Sequence, residues 1–238
     1  MSLDVSWTES NHPDDETLAI LLAEQLETLI RTALLERGKA VLALAGGRTP
    51  FPVYRQLAQA RLDWTKVYLV ATDERWVSSD HPARNSREMR SAFAAAEGIH
   101  VLDLVPSTAE QPADAQTAET ALAGVSEPFD AVLLGMGGDG HFASLFPGAA
   151  ALAAGLDPAS PHAALQLDPV PLPPEAPYPR ISLTLARLMH TRRLFLVATG
   201  ESKRSVLDRA QAQCDAPDLP VSVLLHRTPV PVEIHWSP

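Results

Sequence analysis

Asp139 and His141 stand two residues apart in the stretch Gly135-Met-Gly-Gly-Asp-Gly-His-Phe-Ala-Ser-Leu-Phe-Pro-Gly148. An imidazole titrates near neutral pH and can both take and give a proton, so a histidine beside a carboxylate suits general acid/base work. A core histidine bonded to backbone is the plainer alternative, and the glycine-rich loop and acidic neighbour speak against it. Three other clusters carry charge and bare backbone. Gly46-Gly47-Arg48-Thr49-Pro50 offers free N–H groups, a hydroxyl and the positive end of a helix opened by Pro50, all able to face one anion, and Arg48 adds a charge. Lys203, three residues after Gly200 and at a helix start, can reach that anion as a point charge; a solvated surface lysine is the alternative. Arg75, in Asp73-Glu74-Arg75, is either an ion-pair member that holds its loop or a substrate contact. Arg180, between a proline-rich stretch and a strand, is a further candidate cation.

Three other chemistries fit the same residues badly. Gly135-Met136-Gly137-Gly138-Asp139-Gly140 matches G-x-G-x-x-G, but a dinucleotide site also wants an acid about 20 residues later, where Ala159-Ser160-Pro161 stands. Asp73, Glu74, His81, Asp139 and His141 show neither H-E-x-x-H nor paired-histidine spacing, so no metal is expected. Ser144 lies outside any G-x-S-x-G elbow, which disfavours covalent catalysis.

The groups need a stiff support, and the chain supplies one by alternating strand and helix patterns. Pro13-Asp14-Asp15-Glu16 opens a helix whose apolar stripe is Leu18, Leu21, Leu22, Leu26 and Ile30, ending near Gly38. Ala40–Ala45 reads as a strand before the Gly46 loop, with a helix over about Phe51–Ala60. Val67–Val70 is a strand running into the loop Thr72–Val77. A polar loop with His81, Arg84 and Asn85 precedes a helix near Glu88–Ala96. Ile99–Leu104 reads as strand and Ala113–Ala123 as helix. Phe129–Leu134 is a buried strand leading into the Gly135 loop. Eight prolines between Pro158 and Pro179 preclude regular structure there and predict an ordered surface excursion or a mobile lid. Ile181–Leu185 and Leu194–Ala198 are strands, Ala186–His190 a turn of helix, Gly200 to about Ala212 a loop and helix, and Val232–Trp236 a last strand. Such alternation predicts an α/β fold, one domain with a mostly parallel sheet between helix layers, and ligands bind beyond the carboxyl ends of its strands. All four polar clusters fall at such ends, which places them along one rim.

Bulk composition limits the ligand. The 238 residues, 46% of them hydrophobic, are enough for a large core, and a net charge of -10 opposes whole-surface binding to nucleic acid or an anionic membrane. An anion must therefore be met by a local group of Arg and Lys. Cys214 alone forms no intrachain disulfide, the N-terminus lacks a signal-peptide pattern, and no apolar run approaches the ~20 residues of a membrane span. A cytoplasmic protein is expected, monomeric or a small homo-oligomer.

Taken together, Leu44–Pro50, Thr72–Val77, Gly135–Gly148 and Gly200–Lys203 resemble the 6-phosphogluconolactonases of the glucosamine-6-phosphate isomerase/6-phosphogluconolactonase family, over almost the whole chain. The resemblance implies a single-domain α/β/α sandwich with a Rossmann-like sheet over residues 1–238. It also implies lactone hydrolysis in the oxidative pentose phosphate pathway without metal or organic cofactor. His141 matches the family's acid/base histidine, Lys203 and Gly46-Gly47 its sugar-phosphate contacts, and Asn85 a family asparagine. Departures are Ala45 where serine is frequent, Arg48 for a small hydroxyl residue, Ala83-Arg84 where Asp-Ser is usual, and Phe142 for threonine. The implied roles are His141 as acid and base, Asp139 as its brace, Arg75 or backbone N–H groups at the oxyanion, and the remaining candidates, Gly46, Gly47, Arg48, Thr49, Asp73, Asn85, Arg180 and Lys203, around the substrate. A deaminase of the same fold would carry a glutamate beyond the histidine, and Phe142–Pro147 contains no carboxylate. A non-catalytic sugar-phosphate sensor is the reading from a different class.

Overall fold

Apolar runs of about five residues, too short for helices and rich in branched side chains, supply a sheet covered on both faces. The computed structural model describes residues 7–174, 176–214, 216 and 218–238. Its strands are β1 (Trp7–Asn11), β2 (Ala40–Leu44), β3 (Val67–Ala71), β4 (Asp73–Arg75), β5 (His100–Leu102), β6 (Ala131–Gly135), β7 (Ala164–Gln166), β8 (Arg180–Leu183), β9 (Leu194–Thr199) and β10 (Val232–Ser237). Seven of them form a parallel sheet in the order β1-β10-β9-β6-β2-β3-β5. Every residue of β2 is buried, as a central strand between two helix layers requires.

The helices are α1 (Asp15–Arg37), α2 (Phe51–Leu57), α3 (Asn85–Ala92), α4 (Gln116–Ala123), α5 (Leu152–Gly155), α6 (Leu185–Met189), α7 (Glu201–Ala212) and α8 (Pro220–Arg227). Asp14 caps α1 by accepting the Thr17 amide at 2.7 Å, and Gly38 ends it in the left-handed conformation at φ 73°. The buried face of α1 is Leu18, Leu22, Leu26, Ile30 and Ala33. Leu21, expected in that stripe, is 42% exposed, because Ala19 and Ala23 take the flank that packs closely. No helix among the described residues is long and apolar enough to cross a membrane.

Two expectations need correction. Asp73-Glu74-Arg75, read as a loop, is β4, and Ile181–Leu185, read as a strand, is one as far as Leu183 (β8) but lies outside the parallel sheet. These two pair antiparallel, with β7 on the far side of β8, in a second three-stranded sheet. The proline-rich stretch was also expected to lack regular structure, yet it contains β7. Residues 162–168 are free of proline, so their amides can enter the ladder. Neither β1 nor α8 was anticipated.

A buried histidine pair ties β1 to β10. His12 Nε2 lies 3.0 Å from His235 Nδ1, with the rings stacked at 10°. One ring must donate and the other accept, so the two rings cannot both be protonated. Burial, helped by His12, pulls His235 down to about 4 from an ordinary 6.5. The folded state thus favours the neutral form: this stability is complete above the unfolded value and is lost as pH falls from 6.5 toward 4. The separation corresponds to roughly 2–3 kcal/mol lost by about pH 4.5. Urea unfolding at neutral and at mildly acidic pH should show His235→Asn losing less stability than wild type by that amount. Equal losses would show that the pair does not titrate on unfolding.

Candidate functional site

Strand order reverses between β2 and β6: the chain proceeds from β2 to β3 and β5 on one side, while β6, β9 and β10 fill the other. Loops leaving such strands diverge and leave a crevice. Here it is a cleft of about 280 Å³. Ten of the sequence-derived candidates line it: Gly46, Gly47, Arg48, Thr49, Asp73, Arg75, Asn85, His141, Arg180 and Lys203. Asp139 does not. It lies behind His141, in a neighbouring cavity walled by Pro169, Val170, Pro171 and Pro173.

The loop after β2 needs its glycines for contact and for conformation. A Cβ on Gly46 would stand 2.3 Å from Asn85 Oδ1, and Gly47 has φ 97° with open space around it. Across the cleft, β9 ends at Thr199, whose hydroxyl lies 3.4 Å from that of Thr49. Gly200 (φ 89°) then turns the chain into α7, which carries Lys203 in its first turn. Burial lowers the Lys203 pKa and the Asp15 carboxylate opposes it. Arg48 is exposed beside the cleft.

The loop after β6 fixes one imidazole on three sides. His141 Nδ1 is 2.5 Å from Asp139 Oδ1, which also accepts the His141 amide at 3.2 Å. Burial pushes Asp139 up, but the hydrogen bond and charge of His141 outweigh it and leave the carboxyl below its ordinary range. An ionised carboxylate only accepts, so Nδ1 carries the proton and Nε2 is the basic nitrogen. Gly137 is bare where a Cβ would sit 2.2 Å from the ring. Phe146 closes the other side with its ring centroid 3.9 Å away.

β4 and β8 form a cationic wall. Arg75 and Arg180 are directly opposite in the ladder. Burial lowers the Arg180 pKa, Arg75 adds to that, and Asp73 and Glu74 oppose it. Asp73 is buried and accepts the Ser144 hydroxyl at 2.6 Å. Among the described residues, the buried side-chain nitrogen and oxygen atoms without a hydrogen-bond partner are Arg75 Nε, Asn85 Oδ1 and Arg180 Nε. All three belong to cleft-lining residues, and such orphans are costly unless a polar ligand meets them. Among the described residues, no group of three or more His, Cys, Asp and Glu is placed to hold a metal ion.

Sequence reasoning did not single out Met136, Ala143, Phe146, Pro173 or Ala176, which also line the cleft. Phe146 stood in the Gly135–Gly148 motif without a role of its own. Pro173 and Ala176 come from the proline-rich excursion, where composition marks no particular residue.

The family model described as glucosamine-6-phosphate isomerases/6-phosphogluconolactonase matches residues 13–236. A 6-phosphogluconolactonase of Pseudomonas putida is 37% identical over 227 residues, covering 94% of this chain and 90% of that protein. One from Rhizobium meliloti is 36% identical over 225 residues, covering 93% and 94%. The crystal structure of a 6-phosphogluconolactonase from Shewanella baltica superposes with a TM-score of 0.88 at 29% identity, covering all of both chains.

Proposed function

The chain belongs to the glucosamine-6-phosphate isomerase/6-phosphogluconolactonase family, and from that premise we propose that it hydrolyses 6-phospho-D-glucono-1,5-lactone to 6-phosphogluconate in the oxidative pentose phosphate pathway. The observation that carries this reading is the Asp139-braced His141 on one wall of a cleft whose other walls are cationic and glycine-rich.

Opening the lactone needs water at C1, stabilisation of the carbonyl oxygen, and a proton for the departing ring oxygen. His141 Nε2 takes the proton from water as the C1–O bond forms, and then gives it to the ring oxygen as the ring C–O bond breaks. Asp139 holds the ring and stabilises the imidazolium between the two steps. Arg75, with Arg180 behind it, faces the oxyanion. The phosphate sits against the Gly46-Gly47 amides, Thr49, Lys203 and Arg48, and this remote anchor fixes C1 against His141. Asp73 and Asn85 take the sugar hydroxyls.

Purified protein with freshly generated 6-phosphogluconolactone should accelerate ring opening far above the spontaneous rate and leave glucosamine 6-phosphate untouched. Turnover of the amino sugar alone would assign the deaminase reaction. Binding of 6-phosphogluconate with neither turnover would assign a sensor.

A further inference from the structure

The largest fully buried side chain among the described residues belongs to an arginine, Arg84, which lines no part of the cleft. Its guanidinium donates to the carbonyls of Val77 at 2.6 Å, Pro106 at 3.1 Å and Val105, to the Ser86 hydroxyl at 3.2 Å and to Asp103 Oδ1 at 3.3 Å. Its Nε is also 3.5 Å from Glu74 Oε2, and both side chains are wholly excluded from solvent. Burying a charged fork this completely is costly, and hydrophobic packing would fill the same volume. Its partners, unlike a hydrophobic contact, fix where the fork and the loop around it lie.

What lies there is the mounting of the cleft's polar wall. Glu74 Oε1 accepts the amides of Arg75 (2.8 Å) and Asn85 (2.7 Å), and Oε2 accepts the Ser86 amide (2.8 Å). Burial raises the Glu74 carboxyl above its ordinary range, and these three amides and the Arg84 charge offset that only in part. Arg75 Nη1 donates at 2.7 Å to the carbonyl of Ala83, the residue just before Arg84. The residue just after it, Asn85, donates from Nδ2 at 2.8 Å to the Asp73 carbonyl and presses its Oδ1 against bare Gly46. Two cleft groups therefore hang from the neighbours of one pinned residue, and a third, Gly46, is keyed to them.

We propose that Arg84 is a positioning residue for substrate binding: it locks the 76–85 loop and the Glu74 carboxylate so that Arg75, Asn85 and the Gly46 loop present one fixed polar surface to the sugar phosphate. This rests on the lactonase reading of the cleft. Arg84 touches no substrate and does not act on the proton transfers of His141. The effect of disturbing it therefore falls on binding, through Asn85 and the Gly46 loop, and on the oxyanion contact of Arg75, while the proton transfers are left alone.

Arg84→Lys keeps a charge beside Glu74 and gives up the fork. The double variant Arg84→Met with Glu74→Gln removes both charges, so that none is left unpaired in the interior. Both are assayed below their melting transitions, for KM and kcat on 6-phosphogluconolactone and for calorimetric binding of 6-phosphogluconate. The expected result is a rise in KM and a weakening of product binding, with a fall in kcat from the displaced Arg75, kcat/KM dropping by about tenfold in Arg84→Lys and up to about 100-fold in the double variant, since small misplacements of positioning groups cost this much. The pH profile of kcat stays that of the wild type. Wild-type KM and product affinity in folded variants of lower melting temperature would overturn the proposal and leave Arg84 a stabilising core residue. If the wild type does not open the lactone, the function assignment fails, and the product-binding comparison still decides the role of Arg84.

Discussion

His141→Asn is expected to fold and bind as the wild type does while kcat falls by about 10²–10⁴. The amide is smaller than imidazole, so the bare Gly137 face and the Phe146 ring accommodate it without displacement. It can still donate to Asp139, which keeps the loop in place. It cannot gain and lose a proton near neutral pH, and both halves of the reaction need that exchange. The proposed phosphate contacts at Gly46, Gly47, Thr49 and Lys203 are untouched, so KM and the affinity for 6-phosphogluconate change little. Steady-state kinetics beside calorimetric product binding check this. A kcat within a few-fold of wild type would remove the histidine from the chemistry and turn attention to Asp73, the carboxylate that lines the cleft.

Residues whose role follows from local pattern were legible in the chain. Leu42, Leu133 and Leu196 lie in apolar runs that can only be buried strands, and the glycines at 46, 137 and 200 follow strands where a loop must turn at once. From the rule that ligands meet the carboxyl ends of parallel strands, their convergence could be foreseen. Residues whose role depends on distant pairing were not legible. Asp73-Glu74-Arg75 is a polar triplet with no strand signature, and it is a strand only because β8, far downstream, offers it a ladder. Arg84 looks like one more surface charge in a polar loop, since composition cannot distinguish a solvated guanidinium from one enclosed by carbonyls. Its burial is a property of the Val77, Val105 and Pro106 backbone that surrounds it. Phe146 is similar: an apolar residue after an apolar residue gives no hint that its ring lies against an imidazole.

Lys203→Met should erode the preference for a phosphorylated lactone over plain gluconolactone. In a chain of net charge -10, the anion must be held by a few local cations, and Lys203 is half-buried where β9 meets α7, lining the same cleft as Gly46 and Gly47. Charge-assisted contacts to phosphate exist only with the phosphorylated substrate, so their loss is selective. Methionine preserves most of the apolar stem and its packing while removing the charge. The expected cost is a rise in KM for 6-phosphogluconolactone of about 10–100-fold, with a smaller fall in kcat to the extent that the phosphate also aligns C1 with His141. The slow reaction with gluconolactone should scarcely move, because it never used the contact. That second substrate controls for damage to the fold, since a misfolded cleft loses both activities together. The quantity to measure is the ratio of kcat/KM for the two lactones in wild type and variant. An unchanged ratio would make Lys203 a bystander and transfer the phosphate to the Arg75 and Arg180 wall, where the order of substrate in the cleft would be reversed.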